Sequence, residues 1–319
     1  FLPLHHVFEC TVGFLYPISI GACICFCEGV KHMADNIKEF KITAMISVPA
    51  VFDIIYRKVM KSIEKKGKLP TVKKGIKISQ FLLKIKIDVR QKLFREIHES
   101  LGEDLKLVVT GGAALDPETE KGFSELGFDL VQGYGLTETS PVIAAETPKY
   151  RRLGSIGKKF ASVDVKIDNP DEEGIGELMV KGPSVMIGYY ANEEATKQSL
   201  EPDGWFHTGD LAKIDKDGYI YISGRKKSVI VLNNGKNVFP EEIETLLNKV
   251  EGIKESFVYE KTEPDGDVKV CAKIVYDKEL IKELYNIEGE EAIKEFLWEK
   301  VKEVNKLMPK YKYVREMII

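Results

Sequence analysis

The chain has 319 residues, 44% hydrophobic and 30% charged, which is enough for more than one domain with a sizeable core. Its 47 basic side chains against 50 acidic ones leave a formal net charge of -3, so nothing draws it globally to nucleic acid and any anion site must be local. Five cysteines (Cys10, Cys23, Cys25, Cys27 and Cys271) are an odd number in a large chain, which argues against a secreted disulfide framework and for a reducing cytoplasm.

No apolar run reaches the roughly 18 residues that a membrane span needs, and no basic-then-apolar leader is present. The opening Phe1-Leu-Pro-Leu-His-His6 reads as mid-domain sequence, and the chain is expected to be cut at both ends. Phe14 to Cys27 mixes apolar runs with Pro17 and Gly21, which predicts a helix followed by a buried strand. On such a strand the spacing of Cys23, Cys25 and Cys27 turns three thiols to one face without Cys-x-x-Cys geometry, so a core strand is expected rather than a metal site.

A helix over residues 36–41, a short buried run from Ile42 to Val48 ended by Pro49, and helical periodicity through Lys65 give the alternation of a parallel α/β sheet. Residues 58–92 are dense in lysine and lack regularly spaced stacking aromatics. They fit a solvated face, with an amphipathic membrane-surface segment as the alternative. Leu105 to Val109 is a predicted strand, and Thr110-Gly-Gly-Ala-Ala114 is the turn at its carboxyl end, where open α/β sheets bind ligands. Its small residues leave room for a flat ring. Asp116-Pro117 then has the chemistry of a helix start.

The stretch Leu130-Val-Gln-Gly-Tyr-Gly-Leu-Thr-Glu-Thr-Ser-Pro141 reads as a strand running into a phosphate-binding turn. Gly133 and Gly135 permit unusual backbone angles and let a ligand approach the main chain, while Tyr134 offers a ring face. Thr137 and Thr139 place hydroxyls beside the Glu138 carboxylate, a set suited to a phosphate oxygen and to a hard cation such as Mg²⁺.

From Gly154 onward short strands are predicted at 163–167, 176–180, 204–207 and 219–223, separated by turns such as Asn169-Pro-Asp171 and Asp215-Lys-Asp-Gly218, as in a β-barrel or sandwich subdomain. Asn233 to Glu244 predicts a hairpin turn and then a helix with Pro240 at its start. Strands at 253–259 and 268–275 and an amphipathic helix at 290–307 make the last part α+β.

Several of these stretches carry a resemblance. Gly133-Tyr-Gly-Leu-Thr-Glu138 resembles the central signature of the adenylate-forming (AMP-binding) superfamily, and Gly111-Gly-Ala113, Gly176-Glu-Leu178 with Gly182, Trp205-Phe-His-Thr-Gly-Asp210 and Gly224-Arg-Lys-Lys227 follow that family in order. The lysine-rich insert before Gly111 and the Gly235-Lys-Asn-Val-Phe-Pro240 run look most like long-chain fatty acid CoA ligases. The resemblance implies an α/β fold: a partial large domain over 1–224, made of an α/β sheet portion (1–150) and a β-barrel-like subdomain (151–224), then a small, mobile and truncated α+β domain over 225–319.

It also implies roles. Gly111, Gly112 and Ala113 would line adenine and the acyl tunnel, and Gln132, Gly133, Tyr134 and Gly135 would flank the nucleotide, with Tyr134 on adenine. Thr137 and a Glu138-bound Mg²⁺ would serve the α-phosphate. Asp210 and Arg225 would hold the ribose, His6 would sit by the acyl carboxylate, Lys227 would mark a hinge, and Gly235 would lie near the pantetheine passage.

The expected reaction joins a fatty acid to CoA at the expense of ATP, in a cytoplasmic protein; peripheral membrane contact and oligomeric state stay open. The family's phosphate loop and terminal Gly-Lys segment are not in this sequence, so little adenylation by the 319 residues alone is expected. Transfer to a carrier-protein thiol, or a non-catalytic nucleotide- or lipid-binding module, are the alternatives.

Overall fold

The computed structural model describes residues 2–319. The chain divides into two compact units, one of Phe1–Ile167, Met179–Thr208 and Ile214–Tyr221, the other of Asp168–Leu178, Gly209–Lys213 and Ile222–Ile319.

In the first unit a π-helical stretch, Glu9–Leu15, leads into α1 (Tyr16–Ser19), and α2 (Met33–Glu39) follows. The sheet begins with β1 (Ala44–Ser47). Pro49, whose ring presets a helical φ, opens α3 (Pro49–Lys65). Next come α4 (Leu69–Lys84), α5 (Arg90–Leu93), α6 (Arg95–Leu101) and β2 (Leu107–Thr110). Helix α7 (Pro117–Leu126) starts where the Asp116 side chain accepts the Glu118 N–H at 3.1 Å, and ends at Gly127 in the left-handed region, φ +95°.

Strand β3 (Asp129–Gly135) pairs in parallel with β2, as β2 does with β1, so that Ser47, Thr110 and Gln132 share one register row at the carboxyl ends. From Gly133 onward β3 turns to antiparallel pairing with β4 (Val142–Ala145), which pairs with β5 (Lys158–Lys159); the order is β1-β2-β3-β4-β5. The core beside this sheet is aromatic: Phe52 of α3 meets Phe123 of α7 edge-on at 6.0 Å, and Phe123 meets Phe128 at 5.8 Å. Phe52 and Phe128 are fully buried, each contributing about 1.5–3 kcal/mol of apolar burial.

Strands β6 (Asp164–Asp168), β7 (Gly176–Lys181), β8 (Phe206–Ile214) and β9 (Ile220–Arg225) form a four-stranded sheet in that order, with α8 (Glu193–Ser199) between β7 and β8 in the chain. The strands expected here are present, but the sheet does not close into a barrel.

The second unit carries the hairpin β10 (Ile230–Val231) and β11 (Asn237–Val238), then α9 (Pro240–Leu247). The long antiparallel pair β12 (Ile253–Thr262) and β13 (Val268–Tyr276) follows, with β14 (Glu316–Ile318) parallel to β13. Helices α10 (Lys278–Tyr285) and α11 (Glu290–Asn305) complete it, and Ile243, Leu247, Ile274, Ile293 and Leu297 form its own core.

The α/β class holds. One local expectation fails: residues 22–27 form no strand, Cys23 is exposed, and Cys25 and Cys27 are only partly buried. Residues 22–27 join no ladder, although strand β1 at the edge of its sheet pairs with β2 alone; alternation of apolar residues fixes which face a run would bury, not whether another segment takes up its backbone hydrogen bonds.

Candidate functional site

Three predicted stretches of the first unit converge at the carboxyl ends of β2 and β3. A Cβ on Gly111 would stand 3.0 Å from the Gly133 carbonyl oxygen and 3.4 Å from the Phe8 ring, so a side chain here would push these segments apart by a few tenths of an ångström. The Phe8 N–H donates to Nδ1 of the exposed His6 at 3.2 Å, which ties the imidazole to the same place. Gly112 has φ +84° with open space around it, and Ala113 is exposed beside it.

Beyond Gly133 the backbone differs from the expected turn. Gly133 and Gly135 lie within β3 and neither has a positive φ; the turn is the short 3₁₀ helix Thr137–Thr139. What Gly135 answers is close packing, since a Cβ there would fall 1.8 Å from the Pro141 carbonyl oxygen. Thr139, grouped with Thr137 in the sequence reading, is fully buried; its hydroxyl receives the Leu136 N–H at 3.0 Å and donates to the Pro141 carbonyl. It clamps the turn and presents nothing outward.

Thr137 is exposed and Glu138 half-buried. The Tyr189 hydroxyl donates to Glu138 Oε1 at 3.0 Å, and the Met186 N–H donates to the Glu138 carbonyl at 2.7 Å. Burial, together with that bond to the carboxylate, pushes the Tyr189 phenol above its ordinary value and keeps it a donor. Glu138 Oε2 has no protein partner among the described residues. No group of three or more His, Cys, Asp or Glu able to hold a metal occurs among the described residues, so the Glu138 carboxylate would be one oxygen ligand to a hard cation and not part of an all-protein cage.

Behind β3 lies a buried polar network. Gln132 donates its amide to Glu120 Oε2 at 3.2 Å and to the Ser155 carbonyl at 3.3 Å, so this side chain is spent inside the protein. Glu146 accepts the Gln132 N–H at 3.1 Å and the Arg152 N–H at 3.0 Å, and Glu120 accepts the Gly154 N–H at 3.1 Å. Burial, reinforced by the charge of Glu146, pushes the Glu120 carboxyl up to about 7; Glu146 is raised for the same leading reason.

In the second unit Asp210 is buried and lies 3.0 Å from Nε of the half-exposed Arg225. Glu177 accepts the Gly209 N–H at 3.1 Å and pairs with Lys226 Nζ at 2.7 Å, and the Lys226 N–H donates to the Gly209 carbonyl at 2.8 Å. Gly209, at φ +72°, makes the kink that sets Asp210 against the arginine. The Arg225 N–H is received by Glu241 at 3.3 Å, and Lys227 is exposed in the following turn. Gly235, at φ +76° with no neighbour within 4 Å, forms the tip of the β10–β11 hairpin, its N–H bonded to the Leu232 carbonyl at 2.8 Å. Tyr134 is half-buried in β3 opposite Ala144.

Sequence reasoning missed Tyr189, Glu120, Glu146 and Glu241, which no local spacing links to their partners. Glu177 stood inside the quoted Gly176-Glu-Leu178 stretch, but nothing in that tripeptide says what it holds.

An open α/β sheet with a glycine-lined carboxyl edge and an acid-bearing turn is the frame on which the motifs resembling adenylate-forming enzymes sit. The chain belongs to the AMP-binding enzyme family, whose model matches residues 1–190. It is 33% identical over 263 residues to a long-chain-fatty-acid–CoA ligase of Gallus gallus, covering 76% of this chain and 34% of that one. A long-chain-fatty-acid–CoA ligase of Mycobacterium tuberculosis is 31% identical over 280 residues, 83% of this chain and 45% of its own length. The chain thus spans less than half the length of these relatives.

Among solved structures, an ATP-bound chimeric protein aligns with TM-score 0.71 at 24% identity over 99% of this chain and 55% of its own. The O-succinylbenzoate coenzyme A synthetase of Bacillus subtilis, in complex with ATP and magnesium ion, aligns at 0.70 and 23% over 99% and 56%. They establish the fold.

Proposed function

We propose that this chain carries part of the machinery that activates a fatty acid carboxylate with ATP and passes the acyl group to CoA. The observation that carries the reading is the Thr137–Glu138 turn, with Thr137 exposed and Glu138 braced by Tyr189, next in the chain to β3, whose Gly133 carbonyl lies, like the Phe8 ring, against Gly111. The identity to long-chain-fatty-acid–CoA ligases supports the substrate class.

A free carboxylate is a poor electrophile because oxide is a bad leaving group. In the proposed first step a carboxylate oxygen attacks the α-phosphorus of ATP, the bond to the bridging oxygen breaks, and pyrophosphate leaves with that electron pair, giving acyl-AMP. In the second the CoA thiolate adds to the acyl carbon and AMP departs. Charge gathers on the α-phosphate oxygens in the first step, and fixed donors there lower the barrier.

Thr137 would donate its hydroxyl to an α-phosphate oxygen. Glu138, oriented by Tyr189, would hold Mg²⁺, which when bound neutralises phosphate charge. The open space at Gly112, with Gly111, Ala113, Gly133 and Gly135, would leave the backbone accessible to a flat base on Tyr134, and Asp210 with Arg225 would receive the ribose hydroxyls. His6, whose Nδ1 accepts the Phe8 N–H, would face the acyl carboxylate. Gln132 would act through the backbone it steadies, and Gly235 would border the pantetheine arm. The odd cysteine count fits a reducing cytoplasm.

ATP–pyrophosphate exchange by a polypeptide containing these residues, dependent on a fatty acid and Mg²⁺, tests the first step. No exchange with any fatty acid, under conditions where the protein is folded, would sink the reading. A carrier-protein thiol is the second candidate acceptor, because a chloroplastic long-chain-fatty-acid–[acyl-carrier-protein] ligase of Arabidopsis thaliana is 29% identical over 300 residues. Offering CoA and holo-carrier side by side and identifying the acylated product decides between them.

A further inference from the structure

Helix α4 has two faces with different fates. Val72 and Ile76 pack against the core, and Gly75 lies so close to the Phe94 ring that a Cβ would stand 3.2 Å from it. On the other side Lys74, Ile78 and Phe81 recur at intervals of four and three, which aligns them along one stripe of the helix, and Ile85 follows at its C-cap. Ile78 is 46% exposed, Phe81 65% and Ile85 58%, and Ile87 follows just past the helix end at 48%. An amphipathic helix docked on a core ordinarily shows polar residues on its outer side; this one shows large apolar ones.

Along the segment itself the charge has one sign, with Asp88 just beyond it paired to Arg90 and Glu125 of α7 bonded to Gln80 on its flank. Residues 65–87 contain eight lysines (Lys65, Lys66, Lys68, Lys73, Lys74, Lys77, Lys84 and Lys86) and no aspartate or glutamate, in a chain whose net charge is -3. Lys73, Lys74, Lys77, Lys84 and Lys86 are exposed, and among the described residues none of the five is paired with a carboxylate. These five ammonium groups are therefore left to solvent or to an external anion, while Lys68 is paired with Glu96.

We propose that this face of α4, with the Ile85–Ile87 turn, docks on an anionic lipid bilayer. Phe81, Ile78, Ile85 and Ile87 would enter the interface between headgroups and acyl chains. The flanking lysines would run their methylene stems along the surface and set their ammonium groups among lipid phosphates and carboxylates. The complementarity is of both kinds a bilayer offers: apolar side chains standing proud of a convex helix, which a lipid surface accepts without a preformed groove, and uncompensated cations around them. Nucleic acid would satisfy the lysines and leave the isoleucines in water.

The test is co-sedimentation of the 319-residue chain with vesicles of phosphatidylcholine alone or with about a third phosphatidylserine. Partitioning into the anionic vesicles is expected to be at least about tenfold stronger and to fall with added salt. Phe81→Ser with Ile85→Ser should weaken it about tenfold or more, and Lys73→Gln, Lys74→Gln and Lys77→Gln together should abolish the phosphatidylserine preference. Ile18→Ser with Ile20→Ser, at an exposed apolar patch outside the lysine-rich stretch, should leave binding unchanged.

All these side chains are exposed, and unchanged circular dichroism confirms that each variant is folded. Equal partitioning into neutral vesicles, retention of binding by both α4 variants, loss of binding through Ile18 and Ile20, or vesicle-free self-association abolished by the α4 changes would each overturn the proposal.

Discussion

Gly135 illustrates how one atom decides a residue. The Pro141 carbonyl oxygen occupies the space where a side chain would begin, 1.8 Å from an ideal Cβ, so the strand and the chain returning behind the Thr137–Thr139 turn can lie together only if no side chain exists there. Gly135→Ala should destabilise the first unit by on the order of 2–4 kcal/mol, read as a lowered denaturant midpoint with unchanged slope. Gly133→Ala, whose Cβ would meet nothing nearer than 3.9 Å, should cost far less.

Tyr189 supplies a second residue-scale prediction, because its hydroxyl is bonded to the carboxylate of Glu138 and nothing in the sequence pairs them. Tyr189→Phe should slow fatty-acid-dependent ATP–pyrophosphate exchange about fivefold, the equivalent of ~1 kcal/mol for one hydrogen bond. Glu138→Gln should slow it on the order of a hundredfold or more, because a fixed charge at the phosphate is removed. Equal effects from the two would mean that the tyrosine does more than orient the acid.

At the scale of elements, β3 is held from behind by the Glu120–Gln132–Glu146 network, and this gives a pH signature. Burial raises the Glu120 carboxyl from 4.5 to about 7, so the folded state holds the proton more tightly than the unfolded chain. The folded state is therefore favoured below about 4.5, and that advantage disappears as pH rises toward 7; above 7 the ionised, buried carboxylate is a standing cost. Glu120→Gln should remove the titration while keeping an oxygen to accept the Gly154 N–H. Relative to the parent it should gain up to ~3 kcal/mol in stability on going from pH 4 to pH 8, measured by urea unfolding at each pH. A difference that is flat with pH would mean that Glu120 ionises normally.

The four strands β6 to β9 carry another element-scale lesson. Alternation and turn residues made each strand legible, yet whether a sheet curls into a closed barrel depends on the tilt and stagger of all its strands together, which no single strand encodes.

For the whole molecule, each unit has its own buried core and, by coincidence of composition, its own tryptophan: Trp205 in the first and Trp298 in the second. Leu297 is fully buried in the second core. Leu297→Ala should lower the unfolding midpoint reported by Trp298 fluorescence, in a background with Trp205→Phe, by the equivalent of about 2–5 kcal/mol. The transition reported by Trp205, in a background with Trp298→Phe, should move much less. Identical shifts at both would show one cooperative unit in place of two.

Much of this protein was written locally. The Asp116-Pro117 start of α7, the Pro49 end of the β1 run, the hairpin and helix over 233–244 and the paired strands β12 and β13 follow from propensities and caps that act over a few residues. The glycine-rich stretch from Gly133 and its acid were likewise visible as a motif, and that motif carried the family. Contacts made at long sequence separation were not visible. Glu138 with Tyr189, Glu120 with Gly154 and the Phe8–Gly111–Gly133 packing exist only because the sheet brings distant segments to one edge. The unformed strand at Cys23 to Cys27 is the converse: a run with the right periodicity has no partner to receive its hydrogen bonds, and pairing is a property of two segments that neither can specify alone.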